Sequence, residues 1–183
     1  MLTQLRFALC AAIAVSAIWA AEAAAFWPFS ANPAHLERAP AYGGACEDCD
    51  LSGRILAGAR LSDSVFNRSD FSHAVLARAD ASGSEFAGAN FTEADLRRTK
   101  LIGAECPRAR FERATMVSAD ARGADFRRAV FTEANVARMN IEGADISGAD
   151  FRTAAGLTQR QLDTACGDRR TRLPEGLRVR RCD

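Results

Sequence analysis

The sequence is short of the residues on which most enzyme chemistry rests. It has two histidines, one tyrosine, two tryptophans and three methionines in 183 residues. His35 and His73 read as solitary surface histidines, with no serine or cysteine nucleophile placed beside either. No P-loop, GxGxxG or HExxH stretch occurs, so the signatures of phosphate cradling, dinucleotide binding and zinc proteolysis are missing. We expect no catalytic residue, no cofactor and no metal site, and hence no enzyme. Charge of one sign is missing as well, with 24 basic against 23 acidic residues. Such a chain has no bulk pull on nucleic acid or an anionic membrane, so either partner would need a local patch.

One long apolar run does occur, and only at the start. Arg6 precedes FALCAAIAVSAIWA (7–20), and AEAAA (21–25) supplies small-residue cleavage sites after Ala23 or Ala25. This is the pattern of an export signal. The run is about 15 residues, short of the ~20 a spanning helix needs. The chain is expected in the periplasm or secreted. Removal of 1–25 takes Cys10 with it and leaves Cys46, Cys49, Cys106, Cys166 and Cys182.

What the chain has in abundance is phenylalanine, eleven against one tyrosine, which suggests rings buried where a hydroxyl would find no partner. They follow a period. Stepping by five from Leu51 to Phe151 gives 21 positions, all apolar, and eight of the eleven phenylalanines lie on them. These are the centres. Two residues before each centre is a small site, alanine at 14 of 21 positions and Ser, Thr or Cys at five more; Arg54 and Met139 depart. The stretch 46–153 carries 15 basic and 17 acidic residues, and only Arg54 falls on a centre or small site. Unpaired charge is costly to bury, so two positions in five point inward and three outward.

No helix keeps a five-residue stripe on one face, and in a flat strand an odd period flips successive centres to opposite faces. The chain must therefore turn every five residues, and four sides make a 20-residue coil that stacks on the next. The centres sort into four columns at that interval. The first is Leu51 followed by five phenylalanines, the third is the smallest, and two positions past the third stand Asp63, Gly83, Gly103, Gly123 and Gly143. We expect this glycine column to mark a turn needing positive φ.

Stretches such as ANFTE (89–93), ADLRR (94–98), ADFRR (124–128), ADISG (144–148) and ADFRT (149–153) resemble the A(D/N)LXX unit of the pentapeptide-repeat proteins. The resemblance implies an all-β solenoid, a right-handed quadrilateral β-helix of about five coils, some 25 Å long at ~4.8 Å per coil. ECPRA (105–109) departs from the unit, with Cys106 on a centre and Pro107 removing an amide. The expected organisation is a signal at 1–25, an N-terminal cap segment at 26–48, the β-helix at 49–153 and a C-terminal helical cap and tail at 154–183.

Open solenoid ends invite edge pairing, so both flanks are read as short helical caps. Asn32, Pro33 and Pro40 bound one over 32–40. The other lies in GLTQRQLDTACGD (156–168), with a capping box in Thr158 and Gln161, Leu157 and Leu162 at staple spacing, and Gly167 as its stop. Compartment and proximity favour disulfides Cys46–Cys49 and Cys166–Cys182, with connectivity open. The two pairs lie too far apart for one four-cysteine zinc site. Glu47 and Asp48 weigh against a redox reading of CEDC (46–49), and Cys106 is expected to be a core thiol.

Outside, Glu85, Glu105, Asp125 and Asp145 form an acidic row beside Arg68, Arg108 and Arg128, and Arg78, Arg98 and Arg138 form a second basic row. Some relatives mimic DNA and inhibit topoisomerases with a dense negative surface; here the mixed rows suggest a solvated face of ion pairs. The expectation is a non-enzymatic exported scaffold or protein-interaction module of the bacterial cell envelope, with an unidentified protein partner. Nucleic acid is not favoured, and membrane contact is expected only through an uncleaved signal or the basic tail. The alternative is a DNA-mimicking inhibitor of a topoisomerase or other nucleic-acid-binding protein.

Overall fold

The computed structural model describes residues 44–182. The export segment, Cys10, His35 and the expected helix at 32–40 lie outside the described residues. From Ala45 to Ala155 each five-residue unit has one bridging residue and one tight turn. Every bridging residue pairs in parallel with the residue twenty on, from Ala45 with Val65 to Asn135 with Ala155. Four turns thus complete a coil, and the coils stack. Among the described residues the first bridge is at Ala45, which places Cys46 on a centre and Cys49 on a small site.

The unit around Phe91 shows where the main-chain hydrogen bonds go. Phe91 N–H donates to Arg110 O at 2.7 Å and Glu93 N–H to Glu112 O at 2.8 Å, both one coil on. Asn90 N–H donates to Ser69 O one coil back at 2.9 Å, and Ala94 N–H closes the turn on Phe91 O at 3.1 Å. Only the residue after the centre finds no main-chain acceptor. Thr92 N–H donates instead to Asn90 Oδ1 at 3.2 Å. The same bond recurs at Asp70, Asp95, Asp125, Asn135 and Asp150, each just before a centre. The Asp/Asn of the repeat is therefore a backbone cap, chosen because a buried or half-buried N–H must be satisfied.

That slot also explains Pro107. It occupies the one position in five whose N–H has no ladder partner, so the missing amide costs nothing. The bonds on either side continue, Cys106 N–H to Asp125 O and Arg108 N–H to Arg127 O, both 2.8 Å. The departure of ECPRA from the repeat unit leaves the ladder unbroken.

The turns correct a second expectation. Positive φ is not confined to the glycine column but occurs two residues after nearly every centre, at thirteen non-glycine positions that include seven arginines, such as Arg78 at 61° and Arg98 at 57°. The left-handed region costs an L-residue roughly 1 kcal/mol or more, and the inter-coil ladder holds it there. A Cβ at Gly103 or Gly123 would meet nothing, so space gives no reason for glycine at those two positions.

Centres and small sites fill the interior. Phe71, Phe91, Phe111, Phe131 and Phe151 stack nearly parallel, with centroids 4.9, 5.0, 4.9 and 4.1 Å apart. The strand spacing of ~4.8 Å sets that interval, so the ladder of backbone bonds aligns the rings. Phe86 and Phe126 meet this column edge-on at 5.3 Å. Ser69, Ser84 and Thr99 stand at small sites and donate their hydroxyls to Cys46 O, Leu61 O and Leu76 O. At the first coil the rule relaxes: Leu51 and Leu56 are only half-buried, Arg54 is exposed, and Ile55 is 57% exposed.

At the other end Gly156 leads into helix α1 (Gln159–Leu162), whose N-cap Thr158 forms a capping box with Gln161. The Gln161 side chain also donates to Val136 O at 3.0 Å and Met139 O at 2.9 Å, tying α1 to the last full coil. Met139 ends the small-site column Ala59, Ala79, Thr99, Ala119, and past Ala155 the chain leaves the twenty-residue register, with Asp145 bridging to Cys166 and Asp150 to Arg172. Strand β1 (Cys166–Gly167) then runs over Asp145, and β2 (Arg180–Arg181) pairs in parallel with β1. Gly167 is therefore not the helix stop; α1 ends at Leu162 with Asp163 as C-cap. A Cβ on Gly167 would lie 2.8 Å from Thr171 Oγ1 and 2.9 Å from Val179 Cγ1, which is why glycine is needed there.

Candidate functional site

Since the interior is filled, the chemistry available to a partner is that of the four outward faces and the ends. Each face collects the residue before the centre and the two after it, repeated at coil spacing. Counting from the faces that follow the Leu51, Leu56, Leu61 and Cys46 columns, acids against bases number six to three, one to four, four to three, and six to four. The second face alone is net basic.

Most of these charges are spent on one another. Arg97, Arg122, Arg127 and Arg152 reach back two residues to Asp95, Asp120, Asp125 and Asp150, with N–O distances of 2.6, 2.8, 2.5 and 2.7 Å. The same carboxylate that caps the corner N–H thus accepts a guanidinium. Pairs between coils include Arg68 with Glu47 and Asp48, Lys100 with Asp80, and Arg113 with Glu93. His73 Nδ1 lies 3.2 Å from Glu93, an exposed pair with no nucleophile among its partners. The acidic row therefore pairs differently from its sequence reading: Asp125 takes Arg127 rather than Arg128, and Glu85 accepts from Asn67 Nδ2 at 3.1 Å.

Hydrogen bonds from Arg97, Arg122 and Arg152 are the main reason that Asp95, Asp120 and Asp150 titrate below the ordinary carboxylate value of 3.8, against the opposing effect of partial burial. A depressed native pKa adds stability that is complete above the unfolded value and is lost as pH falls through the native one. We expect the combined variant D95N/D120N/D150N, which keeps each cap, to melt below the parent at neutral pH. The gap should close as pH drops below about 4. A gap that does not change with pH would mean the pairs add nothing.

The structure joins Cys46 to Cys49 and Cys166 to Cys182 by disulfides. Cys49 is buried at its small site and Cys46 packs against the core, so this bridge closes the first corner of the first coil. The second bridge ties β1 to the residue after β2. Cys106 is free and wholly buried on its centre, and burial, with Asp125 and Glu105 nearby, pushes its thiol well above the ordinary range. Such a thiol is no nucleophile. Among the described residues the grouping that could hold a metal is Asp145, Cys166 and Cys182, and its two sulfurs are bonded to each other. Among those residues, too, no helix is long and apolar enough to cross a membrane.

Matches to a family model described as pentapeptide repeats, in eight copies, fall on residues 46–80, 69–105, 94–133 and 109–152. Among solved structures the chain is similar to a pentapeptide repeat protein from the thylakoid lumen of Arabidopsis thaliana, with 25% identity over 68% of this chain and 81% of that one, and a TM-score of 0.41. A pentapeptide repeat protein from Nostoc shows 28% identity over 62% and 77% of the two chains, TM-score 0.48. QnrB1, a plasmid-mediated fluoroquinolone resistance protein, shows 20% over 75% and 92%, TM-score 0.24. None of the curated proteins compared with the chain matches it.

Proposed function

Because the chain belongs to the pentapeptide-repeat family, whose parallel coils wind right-handed, we propose that it is a non-enzymatic exported scaffold of the bacterial cell envelope that presents its faces to a protein partner. In this reading the β-helix is quadrilateral in section and closed by helical segments at both ends, and the mature chain begins at Ala24 or Phe26. The observation that carries it is the pairing of an export-type segment at 1–25 with disulfides at both ends of the coil stack, since such bridges persist in oxidising compartments. The filled interior supports a role in binding over one in catalysis, because among the described residues the coils leave no internal cleft to gather reacting groups. DNA mimicry would call for a continuous acidic face, and the acidic residues here are interleaved with arginines on every face.

Intact mass of the protein from periplasm and cytoplasm, with thiols alkylated under denaturing conditions before and after reduction, tests this reading. The expected result is a periplasmic species lacking the signal, with one alkylatable thiol before reduction, Cys106, and five after. A full-length cytoplasmic species with all six cysteines free would overturn both export and the bridges, and DNA mimicry would then become the reading to test.

A further inference from the structure

The second face differs from the other three in kind. Arg78, Arg98 and Arg138 stand in one column at exposed left-handed corners, and among the described residues none of them makes an ion pair. Arg97 beside them pairs with Asp95, the face's one acid. Past Arg138 the same side continues to exposed Arg160 on α1, the two lining a shallow hollow at the last coil. Between the arginines lie short apolar residues, Val75, Ala77, Val117 and Ala137, all half-buried, and the face ends at exposed Ile55. Elsewhere on the coils most arginines are neutralised by an Asp or Glu two residues or one coil away.

We propose that this face docks on an anionic phospholipid surface. Unpaired guanidinium groups held at fixed corners meet headgroup phosphates, while the short apolar side chains between them tolerate the boundary below the headgroups. Among the described residues the face has only that shallow hollow and no aromatic ring, so it offers little to wrap a protein segment and nothing to stack a nucleotide base. The inference does not depend on export, because anionic leaflets exist on either side of a membrane.

The test is flotation of the purified protein, processed so that the apolar segment 1–25 is removed, with vesicles of phosphatidylcholine alone or mixed with phosphatidylglycerol. Two variants of equal charge change are compared. R78E/R98E/R138E reverses the proposed column, and R60E/R108E/R128E reverses three arginines on the third and fourth faces that also lack ion pairs among the described residues. Thermal melting checks that both fold. The parent is expected to bind only the phosphatidylglycerol vesicles and to release in high salt. The first variant should lose on the order of 100-fold in partitioning and the second little. Failure of the parent to float, or equal losses in the two variants, would overturn the proposal. So would tighter, column-dependent binding to a duplex DNA fragment, which would make the face a nucleic-acid surface instead.

Discussion

Replacing Phe111 by alanine is expected to lower the stability of the fold by about 4 kcal/mol, the largest effect of any single substitution considered. The ring is fully buried, stacks on Phe91 at 5.0 Å and on Phe131 at 4.9 Å, and meets Phe126 edge-on at 5.7 Å. Truncation removes its transfer free energy and leaves a void that the coils are poorly able to close, because their spacing is fixed by the main-chain ladder rather than by the rings. The coil also holds Cys106 on the neighbouring centre where its neighbours have Phe86 and Phe126, so it has less aromatic packing in reserve. Since each coil touches only the next, the weakened layer is expected to broaden or split the unfolding transition. Denaturant melts followed by circular dichroism measure both effects. A loss below about 1 kcal/mol would overturn the expectation that burial in the ring column holds this layer together.

Gly156→Ala should cost about 3 kcal/mol, through a mechanism the ring column does not share: left-handed backbone of roughly 1–2 kcal/mol and overpacking of roughly 1–3 kcal/mol. Its φ is +76°, and an added Cβ would lie 2.7 Å from Ala137 Cβ, 2.8 Å from Ala137 Cα and 3.0 Å from Ala137 N. Two of those atoms are backbone, so relief requires the chain leading into α1 to move off the last coil, which breaks the Gln161 bonds to Val136 O and Met139 O. Gly58→Ala is the matched control, with φ +69° and nothing within 4 Å of its added Cβ, and should cost about 1 kcal/mol. Hydrogen exchange of residues 157–182 is expected to rise in the Gly156 variant and to stay unchanged in the Gly58 variant. Equal effects of the two would leave backbone strain as the whole cause.

Both predictions rest on features that differ in how far the sequence displayed them. The phenylalanine column is visible as a 20-residue period, because an inward position tolerates only apolar side chains and repetition makes that constraint countable. The closeness of Gly156 to Ala137 has no such signal. It depends on where the chain leaves the coil, and nothing local to 154–158 states that. The same holds for Gly167, whose neighbours Thr171, Val179 and Ile146 come from three separate segments, and whose reading as a helix stop followed from local spacing alone. The capping box of Thr158 and Gln161 was legible because its partners are three residues apart; the second use of Gln161, as donor to two carbonyls of the last coil, was not.

The outer faces divide in the same manner. Sequence alone determined which residues face out, since charges avoid two positions in every five, and it displayed the column Arg78, Arg98, Arg138. What those charges do was decided by the tertiary structure. The Asp before a centre caps a corner N–H and takes an arginine two residues on, a pairing set by the turn rather than by the rows that a projection of the sequence suggests. Pro107 makes the point in reverse: a proline reads as a break until the stacked coils show that its position is the one whose N–H has no main-chain acceptor. Periodic burial is a property of each unit and so is written in each unit. Hydrogen-bond partners, close approaches and unpaired charges are relations between coils, and they exist only once the coils are stacked.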